Sequence, residues 1–363
     1  MSRPVAPPLS ATIDAVVVGA GFGGLYALYC LRQMGFTALC LEAGDGVGGT
    51  WYWNRYPGAR CDVESMQYSY QFCDYLQQDW DWSERYATQP EILRYANHVA
   101  DRFDLRRDIR FETRVTEAVF DEAANLWTLK TDRGECFTAR YCIMATGCLS
   151  APRRPDFKGL DSFGGDWYHT GYWPHEGVDF SGKRVGIIGT GSSAIQAIPH
   201  IAEQASHLTV YQRTPAYSLP AGNRPLTNSE VSEMKDRYRD FREEQKYNFA
   251  GIPKPERHLE PAAMVPEEER QRRYEQGWKE GLTGLTTKFA DVLADETANE
   301  GVANFIRERI KARVEDPEIA EALTPYSYPF GTKRPCLDTN FYETFNRENV
   351  TLVDLRKTPM ERI

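Results

Sequence analysis

Two short runs rich in β-branched residues, Ile13 to Val18 and Lys183 to Ile188, each lead straight into a glycine-rich turn. Neither alternates with polar residues, as expected of strands buried on both faces. After the first run, Gly19-Ala20-Gly21-Phe22-Gly23-Gly24 opens a segment with Leu25, Leu28 and Leu31 at helical spacing as far as Met34, and Gly35 suits its end. Thr37 to Leu41 then reads as a strand ending on Glu42. After the second run, Gly189-Thr190-Gly191-Ser192-Ser193-Ala194 opens a helix over Ile195 to Ala205, in which Pro199 must sit early or make a kink. Leu208 to Tyr211 is the next strand and ends at Gln212-Arg213.

Between these repeats, Trp80 to Asp104 reads as mostly helical, with a start at Gln89-Pro90-Glu91. Ile109 to Thr116, the region of Val119, and Trp127 to Thr131 read as strands. Tyr141 to Gly147 is a strand ending in small residues, and Ser150 to Gly165 is a Pro/Gly linker. Beyond the second repeat, Thr227 to Asn248 has a capping-box start in Thr227 and Glu230, and Pro266 to Leu282 opens on three glutamates. Val302, Ile306, Ile310 and Val314 share a helix face, begun by Thr297 and Glu300 and stopped before Pro317. These helices are expected to form an insertion with mostly solvated faces. Tyr342 to Asn346 reads as a turn and Val350 to Leu355 as a strand, after which no closing element is visible. The expected division is residues 1–149, 150–222, a helical insertion at 223–330, and a return to the second domain at 331–363, with the remainder of the first domain missing. Met1 to Thr12 is expected to be a frayed tail.

Strand, glycine turn, helix, strand and acid in that order describe a dinucleotide site. Gly19 permits the tight turn, Gly21 lets backbone approach a pyrophosphate, and Gly24 lets helix pack on strand. The helix N-terminus offers N–H groups to the phosphates. Glu42 suits unphosphorylated ribose hydroxyls and would repel a 2′-phosphate. The second repeat keeps the same interval but ends in Arg213, whose guanidinium suits a 2′-phosphate; the competing reading is a strand-end arginine paired with an acid. The loop from Gly48 through Gly49, Thr50, Trp51, Tyr52 and Trp53 to Arg60, Cys61 and Asp62 is dense in glycine and aromatics. It either lies flat against a planar ring or forms a small aromatic cluster of its own. Lys333-Arg334 sits in a Gly/Pro-bounded turn and is either surface or site.

Composition narrows this little. The chain is 41% hydrophobic and 26% charged with a net charge of −9, which argues against a nucleic-acid surface. No run spans a bilayer and no signal peptide is visible, so a cytoplasmic protein is expected. None of the eight cysteines forms a Cys-x-x-Cys pair, so no metal or redox dithiol is expected. Cys40 and Cys142 read as core, whereas Cys61 adjoins the suspected acid Asp62.

Together these residues resemble the type I Baeyer–Villiger monooxygenases, the family of cyclohexanone, phenylacetone and steroid monooxygenases. The family signature Phe-x-Gly-x-x-x-His-x-x-x-Trp-Pro is met by Phe163, Gly165, His169, Trp173 and Pro174. A second motif is met by Gly49, Trp51, Tyr56, Pro57, Gly58 and Asp62, while Ala145-Thr146-Gly147 and Lys333-Arg334 also match. Heteroatom-oxygenating flavin monooxygenases share both glycine turns but lack the Trp-Pro ending. The resemblance implies an α/β fold with two Rossmann-like domains, for FAD and NADP, and a helical insertion in the second. It implies oxygen insertion beside the carbonyl of a small ketone, using O2, NADPH and a peroxyflavin, with no obligate protein partner. Arg334 would be the stabilising cation and Asp62 its tuning partner. Phe22, Thr50, Trp51, Tyr68 and Val115 would line the FAD site. Thr190, Ser192, Ser193, Ala194, Ile195, Gln196 and Thr214 would line the NADP site, with Lys333 joining Arg213 at the phosphate. For His169, domain coupling and a plain structural hydrogen bond both stand. An N- or S-oxygenating enzyme and an inactive nucleotide-binding fragment are the alternatives.

Overall fold

The structure, a computed structural model, describes residues 13–248, 251 and 257–363; the expected N-terminal tail, Met1 to Thr12, lies outside them. In chain order the elements are β1 (Ile13–Val18), α1 (Phe22–Gln33), β2 (Ala38–Leu41), α2 (Thr50–Trp53), α3 (Asp74–Asp79), α4 (Gln89–Arg102), β3 (Ile109–Arg110), β4 (Val115–Asp121), β5 (Leu126–Thr131) and β6 (Cys136–Met144). There follow β7 (Arg184–Ile188), α5 (Ser192–Gln204), β8 (His207–Gln212), β9 (Ser218–Pro220), α6 (Asn228–Lys246), α7 (Glu267–Glu280), α8 (Gly284–Thr287), α9 (Glu296–Lys311), α10 (Pro317–Leu323), β10 (Cys336–Asp338) and β11 (Val350–Asp354). The chain divides into two compact units. The first comprises the chain up to Arg55 with Gln89–Pro155 and Trp167–His175; the second comprises Tyr56–Thr88, Asp156–Asp166 and Glu176 onward.

The first unit is built on a six-stranded sheet of order β3-β2-β1-β6-β5-β4. β1 runs parallel to both β2 and β6, and β4, β5 and β6 form an antiparallel meander. β1 is apolar from Ala15 to Val18 because both its faces are covered there. Ala15 and Val17 pack with Leu25, Leu28 and Leu31 of α1, and Val16 and Val18 pack with Leu41, Leu129, Phe137 and Ala139. α1 begins at Phe22, earlier than its leucine spacing indicates, because Gly21 takes the N-cap position. Gly35 follows its end at φ +78°. The helix expected over Trp80 to Asp104 is restricted to α4. Residues between α3 and α4 are taken up by pairing within the second unit, with bridges Arg60 to Thr88 and Glu84 to Pro225. The strand expected over Ile109 to Thr116 is broken at Glu112, which sits at φ +52°.

The second unit holds a parallel sheet of order β11-β8-β7 and a parallel pair, β9 with β10, that the sequence did not suggest. β7, α5 and β8 repeat the arrangement of β1, α1 and β2, which makes both units Rossmann-like. α5 continues through Pro199, placed well inside it, where only the hydrogen bond to the Ile195 carbonyl is forgone. The Thr227–Glu230 capping box is formed on α6. α9 is capped by Asp295 rather than by Thr297, and Pro317 starts α10 behind an Asp316 cap rather than only ending α9. α6 and α7 bury few residues, as expected, but α9 does not follow that expectation. Val302, Ala303, Phe305, Ile306 and Ile310 of α9 are buried, and the Phe305 and Phe289 rings meet Tyr274 at 5.4 and 5.5 Å. Each such aliphatic side chain contributes about 1.5–3 kcal/mol. No helix among the described residues is long and apolar enough to cross a membrane.

Candidate active site

In the first unit the glycines are sterically required. Gly19 has φ +100°, and a Cβ there would lie 2.7 Å from the Ala145 carbonyl oxygen; a Cβ on Gly24 would lie 1.8 Å from the Gly19 oxygen. Gly21 and Gly49 face one another, a Cβ on Gly49 falling 2.8 Å from the Gly21 Cα. Neither α1 nor α5 has a side-chain cap or an acid in its first turn, whereas Thr227, Asp295 and Asp316 cap α6, α9 and α10. Both glycine-turn helices therefore present N–H groups suited to an anion.

Glu42 is buried, and each of its oxygens accepts one backbone N–H: Oε2 from Ala20 at 2.6 Å and Oε1 from Gly44 at 2.8 Å. It therefore shapes the turn, with lone pairs left for a ribose. The Phe22 ring meets Tyr95 edge-on at 6.2 Å. Thr50, Trp51, Tyr52 and Trp53 form α2, a helix in what read as a loop. Trp51 is buried, and its carbonyl accepts from Gln89. Tyr52 packs edge-on against Trp53 and His175 at 4.7 and 4.9 Å and donates to Asp45 Oδ1 at 2.5 Å; burial and that bond raise its pKa above the usual phenol range. Val115 begins β4 at the sheet edge, packed against the core.

The second turn mirrors the first with one difference. Gly189 N–H donates to Tyr211 O at 2.8 Å, as Gly19 N–H does to Leu41 O at 2.9 Å. Glu42's counterpart is thus Gln212, 1% exposed. Its Oε1 accepts from the Thr190 hydroxyl at 3.3 Å, a hydroxyl also 3.3 Å from the Thr214 carbonyl, and its Nε2 donates to Ala322 O at 2.8 Å. Arg213, one residue on, is exposed and has no ion-pair or hydrogen-bond partner among the described residues. Its reading as a strand-end arginine paired with an acid is not met. Ala194 and Ile195 complete the first turn of α5, Ile195 buried and Ala194 half-buried. The Ser192 hydroxyl lies 3.1 Å from Cys336 Sγ, and Ser193 follows it, half-buried, in the first turn of α5.

Within the second unit, Arg334 meets Asp62: Nη2 lies 3.4 Å from Oδ2, with the guanidinium 61% and the carboxylate 14% exposed. Burial raises the Asp62 pKa, and Arg334 opposes that rise. Gln196 joins the same cluster, its Nε2 donating to Asp62 Oδ1 at 3.3 Å and to Arg60 O at 3.2 Å. Tyr56, which the motif supplied without a role, donates to Gln196 Oε1 at 2.9 Å. Behind these residues is a cavity of about 100 Å³ reaching Tyr86, His200 and Leu337. Arg60 pairs with Glu84 at 3.1 Å. Lys333 sits over the Tyr328 ring at 4.4 Å, exposed. Tyr68 is half-buried and lies in the Tyr56–Thr88 stretch. Cys61 is buried, and burial pushes its thiol up to about 12, so it is inert rather than nucleophilic. Cys40 is core, as expected, and Cys142 is half-buried against it.

The signature stretch passes from the second unit (Phe163, Gly165) to the first (His169, Trp173, Pro174). Phe163 is exposed and Trp173 buried. His169 Nδ1 accepts the Gly171 N–H at 3.0 Å and caps a short 3-10 turn, a structural hydrogen bond that places any ring proton on Nε2.

Residues 16–258 match the family model for pyridine nucleotide-disulphide oxidoreductases. A Baeyer–Villiger monooxygenase of Pseudooceanicola batsensis is 45% identical over 97% of this chain and 64% of its own length. A steroid monooxygenase bound to NADP superposes with a TM-score of 0.93 at 54% identity, covering 97% of this chain and 67% of that one. OTEMO in complex with FAD and NADP superposes at 0.93 and 44% identity, covering 98% and 68%. The chain spans 64–66% of the length of the curated relatives it matches first. With both glycine turns, the Asp62–Arg334 pair and near-complete coverage at these identities, the chain belongs to the Baeyer–Villiger monooxygenase family.

Proposed function

We propose that this chain carries the nucleotide-binding part of a cytoplasmic FAD- and NADPH-dependent Baeyer–Villiger monooxygenase that converts a small ketone and O2 to an ester or lactone. In sequence, residues 1–149 are assigned to the FAD domain and 150–222 to the NADP domain, with 223–330 inserted and 331–363 returning to it, while Tyr56–Thr88 packs in the second unit and Trp167–His175 in the first. The observation that carries the reading is the Asp62–Arg334 pair beside α5, at 3.4 Å.

The first glycine turn fits a dinucleotide, since a Cβ at Gly19 or Gly24 would strike the Ala145 or Gly19 carbonyl that shapes it, and Gly189, at φ +102°, repeats the turn in the second unit. When bound, FAD and NADPH supply electron transfer and oxygen activation. The chain supplies position and charge. Uncapped N–H groups of α1 and α5 hold the two pyrophosphates, and Glu42 orients a ribose without 2′-phosphate. Arg213, with Lys333, takes the 2′-phosphate of NADPH. Arg334 presents a fixed cation where negative charge develops as the ketone carbonyl is attacked. Asp62 anchors that cation from a buried position.

The test is ketone-dependent NADPH consumption by the full-length protein over ketones of graded size, with product identification and a sulfide run in parallel. Ester from a ketone supports the proposal. Sulfoxide without ester favours the heteroatom-oxygenating class, and no bound flavin favours a nucleotide-binding fragment.

A further inference from the structure

Gln196 uses every polar site of its amide. Oε1 accepts from the Tyr56 hydroxyl at 2.9 Å and the Arg60 N–H at 3.4 Å, and Nε2 donates to Arg60 O at 3.2 Å and Asp62 Oδ1 at 3.3 Å. The Arg60 backbone fixes which way round the amide lies, because its N–H only donates and its carbonyl only accepts. An N–H therefore faces Asp62. The carboxylate is gripped at both oxygens, by Gln196 on α5 and by Arg334. The Tyr56–Asp62 loop reaches α5 this closely because Gly58, at φ +75°, has no Cβ: one there would lie 2.4 Å from both the Gln196 carbonyl oxygen and His200 Cδ2.

We propose that Gln196 is a positioning residue for oxygen insertion, tying the Asp62–Arg334 pair to the first turns of α5 rather than serving chiefly as a nucleotide contact. Tyr56, Gly58 and Asp62 then have one shared purpose: they dock a single loop on α5 so that Asp62 meets the amide. This rests on the proposed function, in which Arg334 is the reaction's cation. The two roles for Gln196 separate by what its loss disturbs. A nucleotide contact sets NADP affinity. A positioning residue sets how much of the NADPH consumed ends in ester, because a displaced cation lets NADPH, a proton and O2 leave as NADP+ and hydrogen peroxide.

The experiment compares the parent protein with Gln196→Met, which keeps length and volume but loses all four bonds, and Tyr56→Phe, which loses one. NADP+ affinity is read by calorimetry, ester and peroxide per NADPH by product analysis, and the Asp62–Arg334 separation by crystallography. Gln196→Met is expected to bind NADP+ within about threefold of the parent while ester per NADPH falls about tenfold or more, as misplacing a catalytic group does. Peroxide makes up the difference, and the Asp62–Arg334 contact opens. Tyr56→Phe moves the same way by less, which keeps the test intact if Gln196→Met does not fold. Weaker NADP+ binding with unchanged ester per NADPH and an unmoved pair would overturn the proposal. A parent protein that makes no ester from any ketone refutes the functional reading instead, and the crystallographic arm then still decides whether Gln196 holds the pair.

Discussion

Replacing Arg334 by alanine separates chemistry from folding. Its Nη2 lies 3.4 Å from Asp62 Oδ2, a bare attraction of about 5 kcal/mol at an effective dielectric of about 20. The guanidinium is 61% exposed, so water screens most of this, and the net stability loss should be about 1 kcal/mol. In a domain of this size that lowers Tm by about 2–4 °C. Loss of a fixed charge at a developing anion costs about 10²–10³ in kcat. Arg334→Ala should therefore fold, bind FAD and lose ester formation almost entirely, as read by flavin absorbance, scanning calorimetry and product analysis. Normal ester yield from a flavin-loaded variant would remove Arg334 as the cation. The substitution has a pH signature too. Burial raises the Asp62 pKa and Arg334 opposes it, so the variant's Asp62 rises further. A raised carboxyl contributes its stability in full below the unfolded value and loses it as pH rises through the folded one. Arg334→Ala should accordingly lose more stability than the parent as pH rises above about 4, the unfolded carboxyl value, and a parallel stability–pH curve contradicts that.

Other substitutions test the remaining parts. Gly24→Ala places a Cβ 1.8 Å from the Gly19 oxygen; it should cost about 3 kcal/mol or more and abolish flavin retention, so unchanged flavin stoichiometry would contradict the packing account. Arg213→Ala should raise KM for NADPH about 10–100-fold, the loss of a charged hydrogen bond, with KM for NADH little changed; an equal rise for both nucleotides would mean that Arg213 does not read the phosphate. Thr227→Ala removes the capping box on α6 and should cost about 1 kcal/mol by denaturant unfolding while leaving flavin and ester yield untouched.

The two nucleotide turns were legible because local chemistry dictates them. An apolar run, glycines and a following strand leave few folds open, and β1, α1, β7 and β8 lie where the pattern placed them to within a few residues. The Asp62–Arg334 pair was reached through motif resemblance, not periodicity, since these residues lie far apart in sequence. What stayed hidden depended on partners distant in the chain. β9 and β10 are three residues each and exist by pairing Ser218–Pro220 with Cys336–Asp338. Residues 80–88 carry helix-compatible residues but pair with Pro225 and Arg60 instead. Gln212 read as an unremarkable neighbour of Arg213; only its burial against Thr190 reveals it as Glu42's counterpart. The insertion's polar composition concealed a small aromatic core around Tyr274.

The crossbar from the Thr190 hydroxyl to Gln212 and the Thr214 carbonyl has a practical corollary for cofactor engineering. Because Arg213 stands between two braced neighbours, turning the proposed phosphate contact toward a cheaper unphosphorylated nicotinamide is a matter of changing the side-chain charges of Arg213 and Lys333, with the Thr190–Gln212 brace left in place.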